Sequence, residues 1–216
     1  MRIEGYIYAP TEEPNRLSNA VIGATIRNDN RKPPWLAVNH DLDSVILTKW
    51  PGLLWRVAVI NHGPMADLIW NAAYTRAVAV KILEEVPVDL LFGAHGKAVC
   101  SVIQAANKLT EEQAVGLAKT RHRDAAAIYA GSIKAKHSSL IKSGLSLINI
   151  SVWKCARNLW GDQAFEYNEE REEWAILSPW SEAAEALTEA ALALGAPDLV
   201  EDSDRQKLLK AWREVF

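Results

Sequence analysis

Hydrophobic and polar positions alternate with a period near two in the early part of the chain, and later repeat with a period near 3.6. The early runs read as strands. RIEGYIYA (2–9) carries Ile3, Tyr6 and Tyr8 near a strand's alternation, and AVIGATI (20–26) is short and β-branched. SVILTKW (44–50) and LLWRVAVI (53–60) flank Pro51-Gly52. In the second of these, Leu54, Arg56, Ala58 and Ile60 share one face and Leu53, Trp55, Val57 and Val59 the other. Pro-Gly favours a type II turn, which matches hairpin twist poorly, so a wider connection is expected there. TRAVAVKILEEVP (75–87) sets Val78, Val80 and Ile82 on one face of a further strand, and VDLLF (88–92) predicts one more.

After Gly93 the pattern predicts helices. GKAVCSVIQAANK (96–108) is the first. Thr110 with Gln113 forms a capping box, because hydroxyl and amide each satisfy a backbone N–H that the helix start leaves open. That helix is expected to run from Glu111 to about Ala130. Ser138 or Ser139 caps LIKSGLSLINISVWKCARNLW (140–160), which Gly161-Asp162 ends. NEEREEW reads as a charged surface segment, helix or loop. Ser181 is expected to cap EAAEALTEAALAL, with Gly195 and Pro197 as its stop. Asp202 or Ser203 starts a last helix, DRQKLLKAWREVF.

Strands first and helices second predict an α+β fold rather than a wound parallel sheet, which would alternate the two. A mainly antiparallel sheet is expected over residues 1–92 and a half of about four to five helices over 93–216, packed as one domain. Residues 27–43 (RNDNRKPPWLAVNHDLD) form the longest irregular stretch and read as a loop.

Composition narrows the class. The chain has 216 residues, 49% of them hydrophobic and 24% charged, so it can build a core. Its net charge of −3 argues against wholesale polyanion binding. Cys100 and Cys155 lack CxxC spacing, which points away from zinc or a disulfide framework and towards a reducing, cytoplasmic setting. The N-terminal stretch has no apolar signal core, and no apolar run reaches the length of a membrane span. Nine tryptophans are the oddity: they serve a core as large anchors, or an interface as exposed ones.

Charge is segregated. Residues 119–142 hold six Lys and Arg against one Asp, a net of +5; residues 161–216 hold five against fourteen acids, a net of −9. On a continuous helical wheel, Lys119, Arg123 and Lys134 oppose the apolar arc, as on any amphipathic helix. Arg121 and Lys136 fall inside that arc, which calls for snorkelling or a break near Gly131-Ser132. Three readings follow: a basic face packed against the acidic tail or simply solvated, a phosphate-contacting surface, or a docking face for an acidic protein. Neither stacking aromatics nor zinc-finger spacing accompanies it.

Other chemistry is sparse. Gly93, Gly96 and Lys97 sit between a strand and a helix, where an anion cradle can form, but GxxxxGK[ST] is absent. His95, between the glycines, is the candidate catalytic histidine. NHDLD (39–43) groups His40, Asp41 and Asp43, better read as a polar turn than a metal site. His62 sits in a turn, and His122 and His137 lie among basic residues. Glu84-Glu85 reads as a solvated pair, and Cys155 beside Lys154 and Arg157 as a thiol of lowered pKa or a small buried group. No GxSxG or GxGxxG occurs, and no cofactor or metal is implied.

The leading expectation is a non-enzymatic interaction protein with a protein partner or a second copy of itself. The alternatives are a nucleic-acid-binding accessory protein using Lys119, Arg121, Arg123, Lys134 and Lys136, and an enzyme on a nucleotide-like or other anionic substrate at Gly93–Lys97.

Overall fold

The computed structural model describes residues 3–12, 14–28, 35–47, 49–62, 73–134, 139–170 and 172–216, with backbone alone at 62, 133–134 and 139–143. The chain divides into two units, Met1–Leu91 and Phe92–Phe216.

The first unit holds β1 (Glu4–Pro10), β2 (Thr25–Arg27), β3 (Leu36–Asn39), β4 (Gly52–His62) and β5 (Tyr74–Val86), all paired antiparallel. The antiparallel sheet is as expected; its closure is new. β4 pairs with both β1 and β5, β5 with β3, and β3 with β1, so four strands form a ring and β2 adds to β5 beyond the end of β3. Ile7, Leu36, Val38, Trp55, Val57, Ala77, Val80 and Ile82 fill its core.

Closure demands close contact between β1 and β3. A Cβ on Gly5 would lie 2.2 Å from the Asn39 carbonyl oxygen and 2.9 Å from Val38 Cγ1, so only glycine fits.

Several strand expectations are corrected. In β1 the buried positions are Gly5, Ile7 and Ala9, and Tyr6 and Tyr8 take the other face. The Tyr8 hydroxyl donates to the Lys49 carbonyl at 2.8 Å. β5 does not keep one phase: Ala77 and Ala79 are buried, then Val80 and Ile82. Opposite this point the register shifts: β4 fits Ile60 between Val59 (paired with Val80) and Asn61 (paired with Ala79). Of residues 20–26 only the end is strand, because Val21-Ile22-Gly23 turn. Among its described residues SVILTKW forms no strand: Leu42–Ser44 make a 3-10 turn and irregular backbone follows over residues 45–47. VDLLF is likewise a 3-10 turn over Val88–Phe92. The expected 27–43 loop contains β3, with Leu36 and Val38 buried; Pro33 and Pro34 lie outside the described residues.

The second unit has seven α-helices among its described residues, more than the four to five expected. They are α1 (Gly96–Asn107), α2 (Glu111–Thr120), α3 (Ala125–Lys134), α4 (Ser139–Trp160), α5 (Trp180–Gly195), α6 (Asp202–Leu208) and α7 (Lys210–Val215). α5 is the hub, touching each of the others. Alanines explain it: Ala183, Ala184, Ala186, Ala190, Ala191 and Ala193 are buried, and their small side chains let neighbouring helices approach on several sides.

The Thr110 capping box is present in both directions, through Gln113 N to Thr110 Oγ1 (3.2 Å) and Thr110 N to Gln113 Oε1 (3.1 Å). The helix it opens is shorter than expected. It ends at Thr120, Arg121 turns to extended backbone, and α3 begins at Ala125. The break therefore precedes Gly131-Ser132, and the single helical wheel over 119–136 does not apply. Ser181 caps nothing: α5 starts at Trp180, and the Ser181 hydroxyl donates to Glu182 at 2.9 Å. The last expected helix is two, split at Leu209. Ser138 lies outside the described residues.

NEEREEW, expected as helix or loop, is the end of a β-hairpin. β6 (Phe165–Asn168) and β7 (Glu173–Ile176) pair antiparallel, with Glu172 in the left-handed region at φ 52° just before β7.

Candidate interaction surface

The basic stretch does not form one face. Lys119 is exposed in α2 and Arg123 is exposed in the turn after it, whereas Arg121 is drawn inward to α5. Its Nε donates to both carboxylate oxygens of Glu189, at 3.0 and 3.1 Å, and its Nη atoms reach Glu189 and Glu185. The Arg121 side chain is 16% exposed and that of Glu189 2%, so this is a buried pair whose second carboxylate, Glu185, lies at the surface. Burial alone would lower the Arg121 guanidinium, but Glu189 and Glu185 outweigh it and hold it above its ordinary value. Burial pushes the Glu189 carboxyl up, against the pull of Arg121. Tyr129, hydrogen-bonded to Thr188, adjoins the pair, and burial raises its phenol. Arg121 thus joins the basic stretch to the acidic part of the chain. The Lys134 side chain, Lys136 and His137 lie outside what the structure describes.

The Gly93–Lys97 loop is closed on itself. Gly93 takes φ 79°, a conformation suited to glycine, and its carbonyl accepts the Gly96 N–H at 3.0 Å. The Ala98 N–H donates to the His95 carbonyl at 3.0 Å. Two amides that an anion would seek are therefore engaged within the turn. His95 occupies the N-cap position of α1 without a side-chain cap, and both it and Lys97 are exposed.

NHDLD is engaged in structural contacts. Asp41 accepts from Ser44 N at 2.8 Å, and His40 Nε2 meets Thr75 Oγ1 at 2.8 Å. Among the described residues, no group of three or more His, Cys, Asp or Glu could hold a metal ion. His122 Nδ1 accepts from Asp124 N at 3.1 Å; the His62 side chain is not described. Glu84 belongs to a ladder across three strands, in which Arg56 of β4 bonds Glu84 of β5 and Glu4 of β1, each at 2.8 Å. Of the two readings of Cys155, the structure fits the buried group: burial pushes its thiol up, against Lys154, and Sγ lies 3.4 Å from the Ala106 carbonyl oxygen.

The surface that sequence reasoning missed is the hairpin. Register pairs Phe165 with Ile176 and Tyr167 with Trp174, and the period of two puts all four on one face. The inner rung is covered. Phe165 is 8% exposed, packs 4.8 Å from the Trp153 ring of α4, and carries the Arg157 guanidinium 5.1 Å above its own ring. The outer rung is open: Tyr167 is 45% and Trp174 59% exposed, their ring centroids 5.3 Å apart. Among the described tryptophans Trp174 alone is exposed; Trp70 lies outside them. The sequence does carry a signal: apolar residues at 165 and 167, and again at 174 and 176, flank a polar loop, as in a short hairpin. The glutamates around them obscured it.

No family model, no curated protein and no solved structure matches this chain. No helix among the described residues is long and apolar enough to cross a membrane.

Proposed function

We propose that this protein is a non-enzymatic interaction protein that docks another protein on the outer rung of the β6–β7 hairpin. The observation that carries this reading is the open Tyr167–Trp174 pair. Tyrosine and tryptophan dominate the centres of protein interfaces because a large, stiff ring buries much area at little entropic cost. Here two such rings already meet across strands, tilted by 58° at a centroid distance of 5.3 Å, while the apolar face they continue is sealed one rung inward. The two free thiols, Cys100 buried and Cys155 half-buried, support a reducing, cytoplasmic setting.

The test replaces Tyr167 with a photocrosslinking phenylalanine analogue, and separately Ala127, an exposed residue of α3. A discrete protein adduct at 167 but not at 127, after irradiation in cells, is the expected result. Equal labelling at both positions, or none at 167, refutes the reading.

A further inference from the structure

Resting on that reading, we infer that the outer rung takes an arginine-bearing segment of the partner protein, with a guanidinium over the Tyr167–Trp174 rings and glutamates around it. Two features of the hairpin argue for this occupant. The first is charge. Residues 165–176 contain five glutamates and one arginine, a net of −4; Glu169, Glu170 and Glu172 lie at the hairpin's end, next to the outer rung, while Glu166 and Glu173 take the face opposite the rings. Such a surface attracts a cationic segment and repels an anionic one. It also opposes its own copy, because two hairpins meeting face to face would bring equal negative charges together.

The second feature is the inner rung. The chain itself lays Arg157 over Phe165, on the same face and one rung inward. An aromatic ring presents its negative face to a cation, and a guanidinium adds planar stacking that an ammonium lacks. The molecule therefore already makes on its inner rung the contact we assign to the outer one. Trp174 is the strongest cation acceptor among the ring types.

The experiment is fluorescence anisotropy with labelled eight-residue peptides of alternating glycine and one other residue: arginine, lysine, glutamine or glutamate. Each is titrated with the full chain at about 50 and about 150 mM salt, a span over which exposed charge attraction weakens. Trp174→Ala, Trp174→Phe, Tyr167→Ala and Glu170→Gln/Glu172→Gln variants follow, each checked for unchanged circular dichroism.

The arginine peptide is expected to bind most tightly and the glutamate peptide not at all. Trp174→Ala is expected to weaken arginine binding about tenfold, the size of one partly desolvated cation–ring contact, and Trp174→Phe less. The glutamine pair is expected to flatten the salt dependence. Arginine binding that ignores Trp174→Ala and Tyr167→Ala would mean diffuse attraction to glutamates and overturn the inference. Tight, Trp174-dependent binding of the glutamine peptide would overturn the cationic partner while leaving the docking surface intact. Trp174-dependent self-association in sedimentation would make a second copy the occupant and overturn it too. Binding of no peptide at low salt overturns the inference, and the crosslink at position 167 then decides whether the docking surface survives.

Discussion

Arg121 and Glu189 stand 68 residues apart in sequence and share hydrogen bonds through Nε and Nη2 at the junction of α2 with α5. The pair fixes the point where α2 ends, since Arg121 leaves the helix as its side chain enters the unit. With Glu189 only 2% exposed, losing the arginine would strand a carboxylate.

Arg121→Met is therefore expected to cost about 3 kcal/mol at pH 7, the typical penalty for an uncompensated buried charge. Arg121→Met/Glu189→Met is expected to recover most of it. The pH dependence has a definite sign. Burial raises Glu189 in the folded state, so its favourable contribution is present below the unfolded carboxylate value and is lost as pH rises through the folded one. The single variant should accordingly be less handicapped near pH 4 than at pH 7. Urea denaturation at both pH values checks this; equal losses would refute it. Lys119→Ala and Arg123→Ala, at exposed positions, should each change stability by less than about 0.5 kcal/mol.

Gly5→Ala is expected to lower stability by about 2 kcal/mol or more, because the new methyl's closest clash is with the Asn39 backbone, which a side-chain shift cannot relieve. Gly131→Ala, at an exposed helical position with open space around its Cβ, is the control and should be neutral or slightly stabilising. Thermal unfolding of the two variants side by side gives the answer; a harmless Gly5→Ala would mean that β1 and β3 do not approach as described.

Cys155 is expected to react slowly with iodoacetamide, with its half-maximal rate above the ordinary thiol range near pH 8.5. Burial disfavours the thiolate that the reagent needs. Cys100, buried in α1, should stay silent until unfolding. A rate profile centred below pH 8 would contradict the burial of Cys155.

Trp174 offers an optical check on the hairpin's field. Caesium should quench the exposed tryptophan fluorescence more efficiently than iodide at equal ionic strength, since the local net charge of −4 gathers cations. Trp174→Phe should remove that preference and change stability by less than about 1 kcal/mol, as expected for a residue 59% exposed. Equal quenching by both ions would remove the electrostatic basis for a cationic partner.

Local rules were legible where a local cause decides the structure. Thr110 and Gln113 stand three residues apart, and their mutual bonds need nothing else. The helices α1 and α4 follow their apolar spacing, and β5 forms as a strand although its buried positions change phase at Ala79-Val80. Elsewhere the deciding partner was distant. SVILTKW has strand composition yet pairs with no strand among the described residues, and Ile46 is left 78% exposed. The break after α2 depends on Glu189, which no local pattern reveals. Its one trace was the position of Arg121 inside the apolar arc of the wheel; in the turn that follows, His122 accepts from the Asp124 amide. The hairpin was hidden by its glutamates, although its apolar residues kept the period of two.

In the first unit, alignment is a collective property. A strand in an open sheet can slide against one neighbour, and the rest of the sheet need not respond. In the ring of β1, β4, β5 and β3, a slide at any joint must be matched by the others, or the count of residues around the circuit fails to close. The irregularity that seats Ile60 acts as a fixed tooth in that count. Substitutions in these strands are thus judged by the whole circuit, and a change that suits one pair can be rejected by another on the far side of the ring.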